Sequence, residues 1–93
     1  MTFTYEPNRI FHNDTEGRTL AEVTFPAVNE NTVNINHTFV DDSLRGQGVA
    51  SQLLEAAAAQ IARDGKQVIP TCSYAVKWFE KHPEYQDILA KPE

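Results

Sequence analysis

The sequence has one cysteine, few basic side chains and no long apolar run. A single thiol, Cys72, excludes an intramolecular disulfide and a zinc site built from several cysteines. The 8 lysines and arginines are outnumbered by 13 acidic residues, and the net charge of −5 argues against nucleic acid or an anionic membrane as a partner. The 3 histidines have no cluster of ligating neighbours, so we expect no metal site. Apolar runs such as residues 56–59 are far too short to span a bilayer.

The composition that is present fits one small globular domain. The chain has 93 residues, of which 41% are hydrophobic and 23% charged, and this balance predicts a single domain over residues 1–93 with a modest core. Residues 1–7 contain neither a basic segment nor an apolar one, so no secretory signal is visible. A lone cysteine is typical of a reducing compartment, and we expect a cytoplasmic protein.

The first half of the chain shows the alternation of β-strands. Strands are predicted at residues 9–12, 19–25 and 32–40, separated by short segments rich in Asn, Asp and Gly. These short connections predict an antiparallel meander. In the third strand, alternate positions share one largely apolar face, which comprises Val33, Ile35, His37 and Phe39.

The second half of the chain changes to helical spacing. Apolar residues recur every three or four positions from Val49 to Ile61, and Gly65 is a typical helix stop. A short apolar strand follows at residues 67–69. Because a long helix separates this strand from residues 32–40, the two strands are predicted to be parallel neighbours joined by a right-handed crossover.

A second, shorter helix is predicted at residues 74–81, with Ser73 as its N-cap, and residues 84–93 are expected to add one helical turn. The predicted fold class is therefore α/β with α+β character. It contains a mixed, mostly antiparallel sheet covered by about two helices.

The segment before the main helix has the features of an anion-binding loop. Two closely spaced glycines let backbone N–H groups approach a ligand, and the helix that follows adds unpaired donors and the positive end of its dipole. An ordinary strand-to-helix turn that binds nothing has the same glycine pattern. The residues expected at the anion are Arg45, Gly46, Gln47, Gly48, Val49, Ala50 and Ser51.

A wider pattern around this loop resembles a known family. Arg45-x-x-Gly48-x-Ala50, between a strand and a long amphipathic helix, resembles the acyl-coenzyme A signature of the GNAT superfamily of N-acetyltransferases. Four segments in order are similar to a short, single-domain branch of that superfamily, the YjdJ type. They are His37-Thr38, Arg45-Gly46-Gln47-Gly48, Pro70-Thr71-Cys72 and His82-Pro83-Glu84-Tyr85.

The resemblance implies a GNAT-like, acyl-CoA-binding domain with acetyl-CoA as co-substrate. It implies that the loop amides hold the diphosphate of coenzyme A (CoA), and that the parallel strands at residues 32–40 and 67–69 splay into a V. The pantetheine arm would lie in this V and pair with the backbone of Thr38, Phe39 and Val40.

The chemical groups for acetyl transfer depart from the family pattern, because Phe79 occupies the position where the resemblance places a tyrosine acid. The catalytic candidates are Cys72, as acetyl carrier or proton donor, and His37 as base. A small buried thiol and a packed core histidine are the structural alternatives. Tyr74 or Tyr85 are the other candidate acids.

The function predicted from the resemblance is an acetyl-CoA-dependent N-acetyltransferase of minimal GNAT type, acting on an unidentified amine. The alternative is a CoA-binding module without transferase activity, and a third reading is a structural domain whose loop binds nothing. Residues 13–17 form only a turn where larger relatives have helices, so we expect an open acceptor site that suits an exposed amine on a polymer or a partner protein. The sequence leaves the oligomeric state open.

Overall fold

The structure is a computed structural model that describes residues 1–90. Its strands are β1 (Thr4–Glu6), β2 (Arg9–Asn13), β3 (Thr19–Thr24), β4 (Thr32–Ile35), β5 (His37–Val40) and β6 (Gln67–Pro70). Its α-helices are α1 (Val49–Arg63) and α2 (Ser73–Glu80), and 3₁₀ turns span Asp42–Leu44 and Pro83–Ile88. Within this part of the chain, no helix is long and apolar enough to cross a membrane.

The strands form two small sheets. One is antiparallel with the order β1-β2-β3-β5, and the other is the parallel pair β4-β6. Helix α1 makes the crossover between β4 and β6, as the sequence predicts. Strand β1 is absent from the sequence prediction, because all three of its residues are exposed and it has no apolar alternation.

The predicted third strand is interrupted at Asn36, and the prediction of one continuous strand over residues 32–40 is wrong. Before Asn36 the chain pairs with β6, and after it the chain pairs with β3. The side chains hold the break in place, since the Thr24 hydroxyl donates a 2.7 Å hydrogen bond to Oδ1 of Asn36. The Asn36 N–H also donates to the Thr24 carbonyl, at 3.3 Å. Strands β5 and β6 therefore diverge, which is the V-shaped opening that the resemblance implies.

The break also reverses which side chains face the interior. Ile35 is fully buried, but His37 and Phe39, which follow it at alternate positions, are exposed. Thr38 and Val40 are the half-buried residues of β5 instead. The expectation that His37 and Phe39 share the buried face of Ile35 is therefore wrong.

One hydrophobic core joins both sheets to α1. Leu53 and Leu54 of this helix are fully buried, and each such leucine contributes about 1.5–3 kcal/mol through the apolar surface removed from water. Ala57 and Ala58, also fully buried, let the helix lie close to the strands. The helix ends as predicted, with Gly65 in the left-handed conformation at φ +70°.

Helix α2 and the segment after it cover the end of the molecule near β6. The N-cap of α2 is Cys72 rather than Ser73, because the Cys72 Sγ accepts a hydrogen bond from the N–H of Ala75. After the Pro83–Ile88 turn, the N–H of Ala90 donates to the carbonyl of Val68 at 2.9 Å, which covers the outer edge of β6. The predicted helical turn over residues 84–93 is a 3₁₀ turn, and residues 91–93 lie outside the described part.

Candidate active site

A cleft opens where the end of β5, the loop before α1 and the first turn of α2 meet. Its volume is about 250 Å³. Its apolar lining comes from Val40 and Leu44, and Tyr74 of α2 contributes an aromatic ring. The rest of its lining comes from the predicted loop, with Arg45, Gly46, Gly48, Val49 and Ala50.

The loop presents backbone donors that the protein itself leaves unpaired. Within residues 1–90, the N–H groups of Gly46, Gly48, Val49, Ala50 and Ser51 make no hydrogen bond. The N–H of Gln47 makes only a long 3.4 Å bond to the Leu44 carbonyl. These donors lie at the N-terminus of a fifteen-residue helix, where the helix dipole favours an anion. The arrangement is suited to a phosphate or diphosphate group.

The two loop positions need glycine because of their backbone conformation, and not because a side chain would collide with neighbouring atoms. Gly46 has φ +83° and Gly48 has φ +71°, values that residues with a side chain rarely adopt. A Cβ atom at either position would have no heavy atom within 4 Å. Both glycines line the cleft, and the open space beside each of them leaves room for a ligand.

A weak ion pair holds Arg45 at the rim of the cleft. Its Nη2 atom lies 2.6 Å from Oδ1 of Asp42, and both side chains are highly exposed. Exposed ion pairs contribute about 0–1 kcal/mol, so Arg45 can exchange this partner for a phosphate at little cost. The preceding turn is capped by Asp41, whose pKa is lowered by hydrogen bonds from the Ser43 hydroxyl and then the Ser43 backbone N–H.

Strand β5 leaves one edge open beside the cleft. It is the last strand of its sheet, and its other edge pairs with β3. The Asp41 N–H donates to the Leu20 carbonyl, so the two-residue alternation of an antiparallel ladder points the N–H groups of Thr38 and Val40 away from β3. A linear ligand can therefore add to this edge as a further strand would.

Cys72 lies at the narrow end of the V. Its Sγ atom is 3.5 Å from Oγ1 of Thr38 and 3.3 Å from the N–H of Ala75. The thiol is half-buried rather than enclosed in the core, and it bridges β5 and α2.

His37 lies apart from Cys72. Its side chain is 53% exposed, and its Nε2 atom is 3.6 Å from Oε1 of Glu22 on the neighbouring strand. Because neighbouring residues of a strand point to opposite faces, the contact of Thr38 with Cys72 places His37 on the other face of the sheet. The two predicted catalytic residues are therefore not in contact, and the role of His37 as a base stays a prediction.

Tyr74 is the cleft residue that the sequence analysis placed at the start of the second helix but not in the cofactor site. It was a candidate only by its hydroxyl, whereas the structure places its 43% exposed side chain in the wall of the cleft. Its place in the first turn of α2, directly after the Cys72 cap, was the available signal. In the described part, no group of three His, Cys, Asp or Glu side chains could hold a metal ion.

Comparisons with known proteins agree with this geometry. Residues 9–88 match the profile of a family described as GCN5-related N-acetyl-transferase. The protein NATD1 of Xenopus tropicalis is 32% identical over 63 residues, which make up 68% of this chain and 58% of that protein. The chain thus spans less than two thirds of this curated relative.

Two solved structures have the same fold. The solution structure of a GCN5-like candidate N-acetyltransferase from Staphylococcus aureus has a TM-score of 0.80 at 36% identity, over 99% of this chain and 90% of that one. The crystal structure of the GNAT family N-acetyltransferase YhbS from Escherichia coli, in complex with CoA, has a TM-score of 0.61 at 24% identity, over 74% of this chain and 42% of that one.

The divergent strand pair and the amide-rich loop define an acyltransferase type of fold. The family match covers most of the chain, and this protein belongs to the GCN5-related N-acetyltransferase family. The YjdJ-type branch within that family stays a prediction.

Proposed function

We propose that this protein binds acetyl-CoA and transfers the acetyl group to an amine in the cytoplasm. The observation that carries the proposal is the set of unpaired loop amides at the start of α1, which open into a cleft beside the free edge of β5. The bound CoA in YhbS supports it, because that protein has the same fold.

The residues present fit the chemical parts of CoA. The amides from Gly46 to Ser51, together with the Arg45 guanidinium, would hold the diphosphate. The outward N–H groups of Thr38 and Val40 would pair with the amide groups of pantetheine. These contacts would direct the thioester toward the narrow end of the V, where Cys72 lies.

Two roles for Cys72 follow from its contacts. In the first, the thiolate attacks the acetyl carbonyl, the bond to the CoA sulfur breaks, and the CoA thiolate takes the proton that Cys72 released. The amine then attacks the new thioester, the bond to the Cys72 sulfur breaks, and the proton that the nitrogen loses restores the Cys72 thiol. In the second, the amine attacks acetyl-CoA directly, the Cys72 thiol gives its proton to the departing CoA sulfur, and Cys72 regains a proton from the nitrogen as the amide forms. In both cases the N–H of Ala75, which donates to the Cys72 Sγ at 3.3 Å, would hold the sulfur in position.

The acceptor side of the site is open. A turn joins strands β2 and β3, and no helix lies between them. The turn is closed by a 2.8 Å hydrogen bond from the Asp14 N–H to the Arg18 carbonyl. The sheet face that carries Glu22, His37 and Phe39 is therefore exposed. We propose that the acceptor is an accessible amine on a polymer or a partner protein.

The second candidate function is a CoA-binding module without transfer activity. Phe79 favours it, because this residue takes the place of the tyrosine acid that the resemblance implies and is 1% exposed, within the core. Its side chain supplies no hydroxyl and does not line the cleft.

Calorimetric titration with acetyl-CoA and CoA, followed by an assay for free CoA thiol with and without peptide and polyamine amines, separates the two functions. We expect binding of both ligands and amine-dependent thiol release. Binding without release supports the module, and absence of binding contradicts both functions.

The role of Cys72 is tested with a matched pair of variants. Cys72→Ser removes the thiol but keeps a side chain that can cap α2, whereas Cys72→Ala removes both and should cost about 1 kcal/mol of stability. We expect both variants to lose transfer while binding CoA normally. Full transfer by Cys72→Ser would show that the residue only caps the helix.

A further inference from the structure

A second groove lies beside the cleft, between the first turn of α1 and the outer face of α2. Its volume is about 210 Å³, and its lining comprises Ser51, Tyr74, Lys77, Trp78, Lys81 and His82. The cleft and the groove share Tyr74, and Ser51 directly follows the cleft residue Ala50. The groove therefore continues the surface that begins at the phosphate loop.

The groove is positively charged in a protein that is negative overall. Lys77 of α2 and Lys81, the C-cap residue that directly follows it, are four residues apart, so their side chains lie on the same face of the helix. The six residues that line the groove include two lysines and a histidine but no carboxylate. In a chain with a net charge of −5, this grouping marks a local site for an anion.

The base of the groove is rigid. The Trp78 indole N–H donates a 3.0 Å hydrogen bond to Oγ of Ser51, which ties α2 to the start of α1. The His82 ring stacks on the indole at 3.8 Å, and its Nδ1 atom donates to the Trp78 carbonyl at 2.7 Å. This bond fixes the orientation of the imidazole and leaves its Nε2 atom without a partner among the described residues.

We propose that this groove binds the 3′-phosphate of CoA, with Lys77 and Lys81 as its principal partners. The inference rests on the proposed function. If the loop amides hold the diphosphate and pantetheine runs along β5, the adenosine end must leave the loop on the opposite side. The 3′-phosphate is one ribose away from the diphosphate, and the groove begins one residue after the cleft. Lys77 and Lys81 therefore make the protein distinguish CoA from 3′-dephospho-CoA.

The test compares the affinities of CoA and 3′-dephospho-CoA, by calorimetry and by the fluorescence of Trp78, the only tryptophan in the chain. We expect the wild type to bind CoA about tenfold more tightly at low salt, from two exposed charge contacts, and this preference to shrink in high salt. The double variant Lys77→Gln/Lys81→Gln should bind both ligands with the affinity that the wild type has for 3′-dephospho-CoA.

The matched control is Arg63→Gln/Lys66→Gln, which removes the same charge near the far end of α1, about 20 Å from the loop. It should keep the tenfold preference. Equal affinities of the wild type for the two ligands, or an unchanged preference in the Lys77/Lys81 variant, would overturn the inference and leave the proposed function intact. If neither ligand binds, the proposed function fails and the inference fails with it.

Discussion

The sharpest test of the loop is the substitution Gly48→Ala, because the chain offers an almost identical control at Gly65. The two glycines have φ values of +71° and +70°, and a Cβ atom at either one would have no heavy atom within 4 Å. One lies at the start of α1, in the cleft, and the other follows the end of the same helix. Because the backbone strain is the same at both positions, any difference in CoA affinity between the two variants comes from contact between position 48 and the ligand.

The effect on stability follows from the backbone alone. Left-handed geometry costs a residue with a side chain about 1–2 kcal/mol, and the reduced freedom of the unfolded chain returns about 0.4–1 kcal/mol. Each variant should therefore lose about 1 kcal/mol, which lowers the melting temperature of a domain of this size by about 4–8 °C. Thermal unfolding measures this loss, which should be the same for Gly48→Ala and Gly65→Ala.

The effect on binding should differ between the two variants. A methyl group at position 48 occupies space where the backbone would approach the diphosphate, and displacing one charge-assisted hydrogen bond, at about 1.5–3 kcal/mol, weakens binding by about 10- to 100-fold. Calorimetry with CoA should show this loss for Gly48→Ala and wild-type affinity for Gly65→Ala. Equal affinities of the two variants would refute the assignment of the loop as the diphosphate site.

Three further predictions concern neighbouring groups. Ser51→Ala leaves the buried indole N–H of Trp78 without its acceptor and should lower the free energy of unfolding by about 1–3 kcal/mol, as measured by denaturant titration. An unchanged midpoint of the denaturant transition would contradict the role of this bond. In the folded protein the pKa of the Asp41 carboxyl is lowered from its ordinary value of 3.8, so the ionised carboxylate stabilises the fold above that pH and this contribution is lost on acidification. Asp41→Asn should therefore make the free energy of unfolding fall less steeply at acidic pH. An unchanged acid dependence would contradict this. Tyr74→Ala should weaken CoA binding several-fold while Tyr74→Phe leaves it unchanged, because it is the aromatic ring that lines the cleft. A lower affinity of Tyr74→Phe for CoA would show that the hydroxyl takes part.

The helices and the parallel strand pair were predictable because their signals are local. The apolar repeat of α1 and the glycine after it fix the helix within a residue or two, and a long helix between two strands leaves few topologies. The anion-binding loop was predictable for the same reason, since its glycines and the following helix are adjacent in the sequence.

The break at Asn36 was not predictable from alternation. Residues 32–40 keep a period of two throughout, and the change of partner depends on the bond from the Thr24 hydroxyl, twelve residues away in the sequence. The side chain of His37 moved to the opposite face as a result, because a slip of one residue reverses every later position in a strand. The groove beside the cleft was also not predictable, because it forms only where Ser51 of α1 lies next to α2 in the folded chain.

The division of one predicted strand between two sheets also affects how quickly a ligand can enter. The backbone N–H and the side chain of Asn36 are already hydrogen-bonded to Thr24 where the strands separate, so the opening exists before any ligand arrives and no pairing must be broken to create it. Such a preorganised site has little conformational entropy left to lose on binding. Association should therefore be limited by diffusional encounter and orientation, as a single concentration-dependent phase in stopped-flow mixing.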